Sequence, residues 1–351
     1  MSILFAIIIF SFLIFIHELG HFVAAKLSGV QVNEFSMFMG PAIWKKQKGE
    51  TLYAIRCIPI GGYCAMEGED FDTNNPRSFQ KAAWWKRFLI LFAGAAMNFI
   101  VGVLIVVLLY LPSQAFILPE IAKVEPQSAL AGTIQEGDRI LKIDGERVFI
   151  QSDFSMILAL NGGDIHDLTI ERAGERILLQ NVNMEKRLFS GDGETAEPRY
   201  GINFTIKPAS FGDKLSYGWN SVCSMIQTVK LSLQMLLSGK AGLKDMTGPV
   251  GIVQIMSETA QKSPSVLDAV LNMLYFGAFI AINLAIMNLL PIPALDGGRI
   301  VSLLITTAVE AVIRRKINPK YEGYIHGAGM ILLLGLMAVI LFKDIFTIFK
   351  G

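Results

Sequence analysis

Four stretches of the chain are nearly unbroken apolar runs, and between them the pattern changes to alternation and turns. Ser2 to Ala25 reads as one helix of 24 residues, about 36 Å long at 1.5 Å per residue. That length crosses a hydrocarbon core of about 30 Å. Phe88 to Leu111 is apolar apart from Asn98 and Tyr110, and Ala269 to Leu290 holds asparagines but no charge. Gly327 to Phe342 is a shorter fourth run. Two lesser stretches do not qualify as spans. Val222 to Leu237 has Lys230 in its middle and reads as an interfacial or partly buried amphipathic helix. Ile300 to Val309 has only ten residues, too few to cross.

From Pro112 to about Lys207 the pattern turns to that of a soluble, β-rich domain. Ile121 to Val124 alternates as a strand, and turns at Glu136-Gly-Asp138 and Asp144-Gly145 flank the apolar strand Ile140 to Ile143. Phe154 to Leu160 reads as a helix. Leu168 to Arg172 and Ile177 to Leu179 are strands joined by a tight turn at Ala173-Gly174.

Composition supports a membrane class. The chain is 52% hydrophobic and 17% charged, with a mean hydropathy of +0.48, against about 25% charge in soluble domains. A net charge of +1 excludes the basic field of a nucleic-acid binder. Three cysteines, none in a C-x-x-C pair, offer no disulfide framework. Lys26 to Arg87 carries nine Lys/Arg and Arg299 to Lys320 carries five, so both loops are expected on the cytoplasmic side. Both termini and the stretch from Pro112 to Asp268 then lie outside. A removable signal peptide is not expected, because the first run has no basic n-region before it and no A-x-A site.

The first run carries chemistry. His17-Glu18-Leu19-Gly20-His21 is an H-E-x-x-H motif, whose histidines share one helix face and can reach a single metal ion. Zinc suits two imidazoles, a third ligand and an open position, with Glu18 placed to take a proton from water. Buried ionisable groups in a span cost about 2.5–3.5 kcal/mol each, and a bound metal offsets that cost. His17 lies about 22 Å into the helix, nearer the cytoplasmic face. Two candidates remain for the third ligand. His326 opens the fourth run from the cytoplasmic side. Asp296 lies in Asn288-Leu-Leu-Pro-Ile-Pro-Ala-Leu-Asp-Gly-Gly298, where two prolines break the helix at a depth where irregular backbone must be buried or line a wet cavity. Asp296 is the better placed of the two.

Together these motifs resemble the site-2 protease family of intramembrane zinc metalloproteases, in particular bacterial single-PDZ members of the regulator of sigma-E protease type. The PDZ resemblance covers Ala122 to Val182 and rests on Ser128-Ala-Leu-Ala-Gly132, Glu136-Gly-Asp138 and Ile143-Asp-Gly145. The family likeness implies a polytopic α-helical membrane protein with about four transmembrane helices and an inserted β-rich PDZ domain. Its parts would be 1–111 with the first two spans, 112–207 the extracytoplasmic PDZ domain, 208–268 an amphipathic linker, and 269–351 the last two spans. It implies zinc held by His17, His21 and Asp296, with Glu18 as the catalytic acid/base. Asn288 and Pro291 fall at positions tied to handling the substrate helix. A Gly-Pro-x-x-Asn element is kept in part as Gly94-Ala-Ala-Met-Asn98. Pro59 to Gly68, with Gly61 and Gly62, suits a β-hairpin dipping toward the membrane; in the family such an element holds substrate extended by strand addition. Expected partners are the lipid bilayer of the bacterial cytoplasmic membrane, single-pass transmembrane substrates such as shortened anti-sigma factors or signal-peptide remnants, and peptide ends at the PDZ domain. Competing classes are a non-catalytic scaffold that binds peptide ends, and a metal transporter or sensor; the latter would need an ionisable series that the other runs lack.

Overall fold

Helix α1 spans Ser2–Ser28 because nothing in its apolar run breaks it until Gly29. There Gly29 takes φ +81°, Val30 N–H returns to Ala25 C=O at 3.0 Å, and the helix closes on a glycine cap. The computed structural model describes residues 2–69, 73–189, 197–242, 248–315 and 320–350. They form two compact units, Met1–Ile105 with Val229–Gly351, and Val106–Thr228.

After α1 come two long antiparallel strands, β1 (Val32–Lys48) and β2 (Thr51–Met66). Their turn is at Gly49-Glu50, where Gly49 has φ +61°. The glycine-rich stretch from Pro59 to Gly68, expected to be the hairpin itself, instead lies largely within β2. Gly61, at φ +77°, bends that strand back. As a result Glu34 to Met37 faces two partners, with Met37 opposite Gly62 on one side and opposite Ile55 on the other. The two strands therefore fold into four rows, and the row from Gly62 to Met66 is an edge. Val32, Phe35, Cys64 and Met66 bury themselves with Ala25 of α1, Ile90 of helix α2 (Trp84–Tyr110) and Ile300 and Leu303 further along the chain.

The second unit is β-rich. It contains β3 (Ala115–Val124), β4 (Arg139–Ile143), β5 (Glu146–Arg147), α3 (Gln151–Asn161), β6 (Ile165–Arg172), β7 (Glu175–Asn183), β8 (Arg187–Phe189), β9 (Glu197–Arg199) and β10 (Ile202–Pro208), and continues into α4 (Phe211–Leu237). The main sheet runs β10-β3-β4-β6-β7 with β5 beside β4, and β8 pairs with β9. Ile121, Ile140, Phe154, Ile157, Leu168 and Ile170 are buried in its core. Asp153, third in α3, reaches back to accept the N–H groups of Phe149 and Ile150 and so caps that helix.

The chain returns to the first unit with α5 (Pro249–Lys262), α6 (Val266–Asn288), α7 (Asp296–Ile313) and α8 (Lys320–Lys350). Among the described residues, four helices are long and apolar enough to cross a membrane: Leu4–Ser28, Trp84–Tyr110, Val266–Asn288 and Glu322–Phe346. They coincide with the four apolar runs, but the fourth extends well beyond Gly327 to Phe342. His326, which bounds that run on one side, and Asp344, just past Lys343 on the other, are both buried, and the helix passes through all three. Val222 to Leu237 falls inside α4 and Ile300 to Val309 inside α7, and neither helix qualifies as a span. Within the expected linker, α5 is a helix that packs Ile252, Val253 and Met256 against α1 and α6. Residues 243–247 of that linker, and 316–319 of the basic segment ending at Lys320, fall outside the described residues.

Candidate metal centre

On α1, His17 and His21 stand one turn apart with ring centroids 4.8 Å apart. Their Nε2 atoms are 3.2 Å from each other. Asp296, the first residue of α7, brings Oδ2 to 3.2 Å from His17 Nε2 and 3.4 Å from His21 Nε2. One ligand atom from each of these three residues lies within 4.8 Å of the others.

Donor chemistry and spacing fit zinc. A tetrahedral ion with bonds of about 2.0–2.1 Å separates its ligand atoms by about 3.3 Å, which is the size of this triangle. Asp296 Oδ2 is buried and makes no hydrogen bond of acceptable geometry among the described residues. The outer atoms of the imidazoles are committed instead. His21 Nδ1 lies 2.8 Å from Ile90 O, so Nδ1 carries the proton and donates, leaving the Nε2 lone pair facing inward. His17 Nδ1 lies 3.4 Å from the Asn288 amide, which can present its oxygen to the same kind of N–H.

Room for the rings comes from a glycine on the facing helix. A Cβ on Gly94 would overlap His21 Nε2 and lie 2.7–2.8 Å from the Cε1 atoms of His21 and His17. Gly20, inside the motif, likewise lets α1 approach the Ala93 carbonyl. The β-sheet closes over Glu18: a Cβ on Gly62 would sit 3.5 Å from Glu18 Cγ and 3.1 Å from Ser36 O.

The profile of Peptidase family M50 matches residues 5–336. The chain belongs to peptidase family M50. A putative zinc metalloprotease of Clostridium perfringens is 37% identical over 349 residues, covering 98% of each chain. Zinc metalloprotease RasP of Bacillus licheniformis is 28% identical, and the Regulator of sigma-W protease RasP of Bacillus subtilis 27%, each aligned over 98% of both chains.

In this M50 chain the other residues singled out from the sequence are placed unequally. Asn288 and Gly62 join the cluster, and Gly61 makes the bend that brings Gly62 there. Asn98 follows Gly94 by one helical turn; it is buried, and its Oδ1 has no hydrogen-bond partner among the described residues. Pro291 is exposed on the segment between α6 and α7. His326 stands apart from the triangle, with Nδ1 accepting the Ala294 N–H at 3.1 Å. Burial pushes the Cys64 thiol up, so it packs as an apolar group. Sequence reasoning missed the steric roles of Gly20 and Gly94 and the Ile90 carbonyl. A small residue inside an apolar span was the available signal, but it did not say what would approach.

The segment that carries Asp296 is tightly wrapped. Ile292 N–H returns to Leu290 O at 2.7 Å, and Arg299 N–H to Leu295 O at 3.1 Å. Gly297 and Gly298 sit where any side chain would collide with the backbone of Leu289, Leu290 and Ile292. Arg299, on the first turn of α7, is ion-paired with Glu69 just beyond β2.

Proposed function

We propose that this M50 chain is a zinc-dependent endopeptidase that cuts the transmembrane segments of single-pass proteins inside the bilayer. The observation that carries this reading is the convergence of His17 Nε2, His21 Nε2 and Asp296 Oδ2 next to Glu18, on a helix apolar enough to span a membrane. His17, His21 and Asp296 would hold the ion. Bound zinc supplies Lewis acidity toward a peptide carbonyl and toward water. Glu18 then acts as general base toward water and returns the proton to the departing amine. Asn288 orients the His17 ring, and Ile90 O orients His21. The edge row beginning at Gly62 offers backbone groups to which an unwound substrate could add as a strand. Extension matters because a helix hides its carbonyls in its own hydrogen bonds. Asn98 and Pro291 are assigned to substrate handling by the family likeness.

The same reading puts the chain in a bacterial cytoplasmic membrane with the two basic loops inside, and both termini and the β-rich unit outside. That unit is read as a PDZ domain that meets the outer portions or peptide ends of substrates. The relative named Regulator of sigma-W protease supports signalling substrates of the anti-sigma type, with signal-peptide remnants as a second class. Glu18→Gln tests the proposal. In detergent it should keep a full complement of zinc yet cleave a tagged single-span substrate about 10²–10⁴-fold more slowly. Undiminished cleavage would overturn the role of Glu18. Unchanged zinc content after Asp296→Ala would overturn the ligand set.

A further inference from the structure

Ala294, two residues before Asp296, has φ +79°, a left-handed conformation that non-glycine side chains seldom take. Its N–H is donated to His326 Nδ1 at 3.1 Å, from α8. An Nδ1 that accepts carries no proton, so the neutral ring keeps its proton on Nε2, which lies 3.4 Å from Ser302 Oγ on α7. One imidazole thus touches both the residue leading into Asp296 and the helix that Asp296 begins. Three residues further along α8, Gly329 leaves its side-chain position to the chain: a Cβ there would lie 2.5 Å from Pro293 Cβ and 2.8 Å from Pro293 O. General packing does not explain these contacts. Only 6% of the apolar window of α8 is buried, against 22–39% in the other three candidate spans. Apart from its contact with α5, where Asp344 accepts the Gly251 N–H at 3.0 Å, this sparsely buried helix makes a shaped contact at Pro293 and Ala294.

We propose that His326 is a positioning residue for Asp296: it pins Ala294 in its left-handed conformation and so fixes the direction from which the carboxylate meets His17 and His21. The inference rests on reading those three residues as a zinc site. It adds a fourth residue, far along the chain, on which the geometry of that site depends. Residues that orient ligands from behind are worth about 10–100-fold in metal affinity.

The test is zinc affinity, measured on the full chain in detergent by competition with a chromophoric chelator, for wild type and for His326→Leu, His326→Asn, Gly329→Ala and Asp296→Ala. His326→Leu should weaken zinc binding about 10–100-fold. His326→Asn, whose Oδ1 can stand where Nδ1 stands, should restore most of it. Gly329→Ala, which pushes on Pro293, should weaken binding without touching the imidazole. If Asp296→Ala binds zinc like wild type, the zinc-site reading itself falls. If Asp296→Ala loses zinc while His326→Leu and Gly329→Ala keep wild-type affinity, the site stands and the positioning role falls. Equal weakening by His326→Asn and His326→Leu also overturns it, because the accepted hydrogen bond would then be irrelevant. Should His326→Leu fail to purify as a folded species, His326→Ala takes its place: zinc binding weakened relative to His326→Asn supports the proposal, and wild-type binding overturns it.

Discussion

His166 in the β-rich unit meets Asp144 with every facing atom already engaged, whereas the histidines of α1 meet Asp296 with theirs left over. His166 Nδ1 is 2.7 Å from Asp144 Oδ2, and its Nε2 is 3.1 Å from Gly163 O. Asp144 also accepts from Asn161 and from the Asp167 N–H. Burial alone would raise the Asp144 carboxyl, but the hydrogen bonds from His166, Asp167 and Asn161 outweigh it and hold the carboxyl below its ordinary range. That constellation is saturated, and its work is to tie β6 to the turn after β4. At the candidate metal centre the hydrogen bonds are made outward, to Ile90 O and Asn288, while two Nε2 atoms and one Oδ2 point at a shared space. Two imidazoles and a carboxylate so arranged are costly without a cation. Saturation fits a structural pair, and the convergence of inward-facing lone pairs is what the proposed ligand set rests on.

His21→Ala strikes this contrast hardest. It should remove both stoichiometric zinc and cleavage, as read by metal analysis of the purified protein and a tagged-substrate assay. Gly94→Ala comes next, since its methyl group enters the space of both rings; zinc affinity should fall about 10–100-fold while the helical circular dichroism of the chain stays unchanged. His166→Ala should do the reverse. It should leave zinc content intact but destabilise the β-rich unit by about 1–3 kcal/mol, seen as faster hydrogen exchange in β6 and β7. An unaltered exchange rate would show that the saturated pair carries no stability.

Acidity gives the smallest effect and the finest discrimination. A carboxyl held below its ordinary value contributes stability at neutral pH and loses that contribution as pH falls below about 4. Hydrogen-exchange protection of β6 in wild type should therefore exceed that of Asp144→Asn at pH 7, and the two should converge toward pH 3. A gap that widened on acidification would reverse the sign assigned to Asp144.

Much of this protein can be read along the chain, because spans and motifs are local patterns. Four apolar runs mark the four candidate spans. The i, i+4 spacing of His17 and His21 puts two imidazoles on one face, and Pro291, Pro293, Gly297 and Gly298 mark a broken helix carrying Asp296. Alternation and turns mark a β-rich unit between the second and third runs. Tertiary structure alone decided what meets what. Asp296 Oδ2, 275 residues after His21, comes within 3.4 Å of both imidazoles, while His326, an equally plausible ligand by type, turns to the Ala294 amide. Gly62 sits over Glu18 because β2 bends back at Gly61, and Gly94 makes room for the rings because α2 faces α1 at that turn. Periodicity records which face of a segment is apolar; it holds no record of which distant surface that face will fit. That choice is made when two shapes close on each other, and a missing methyl group on one helix then becomes the space in which a side chain of another can work.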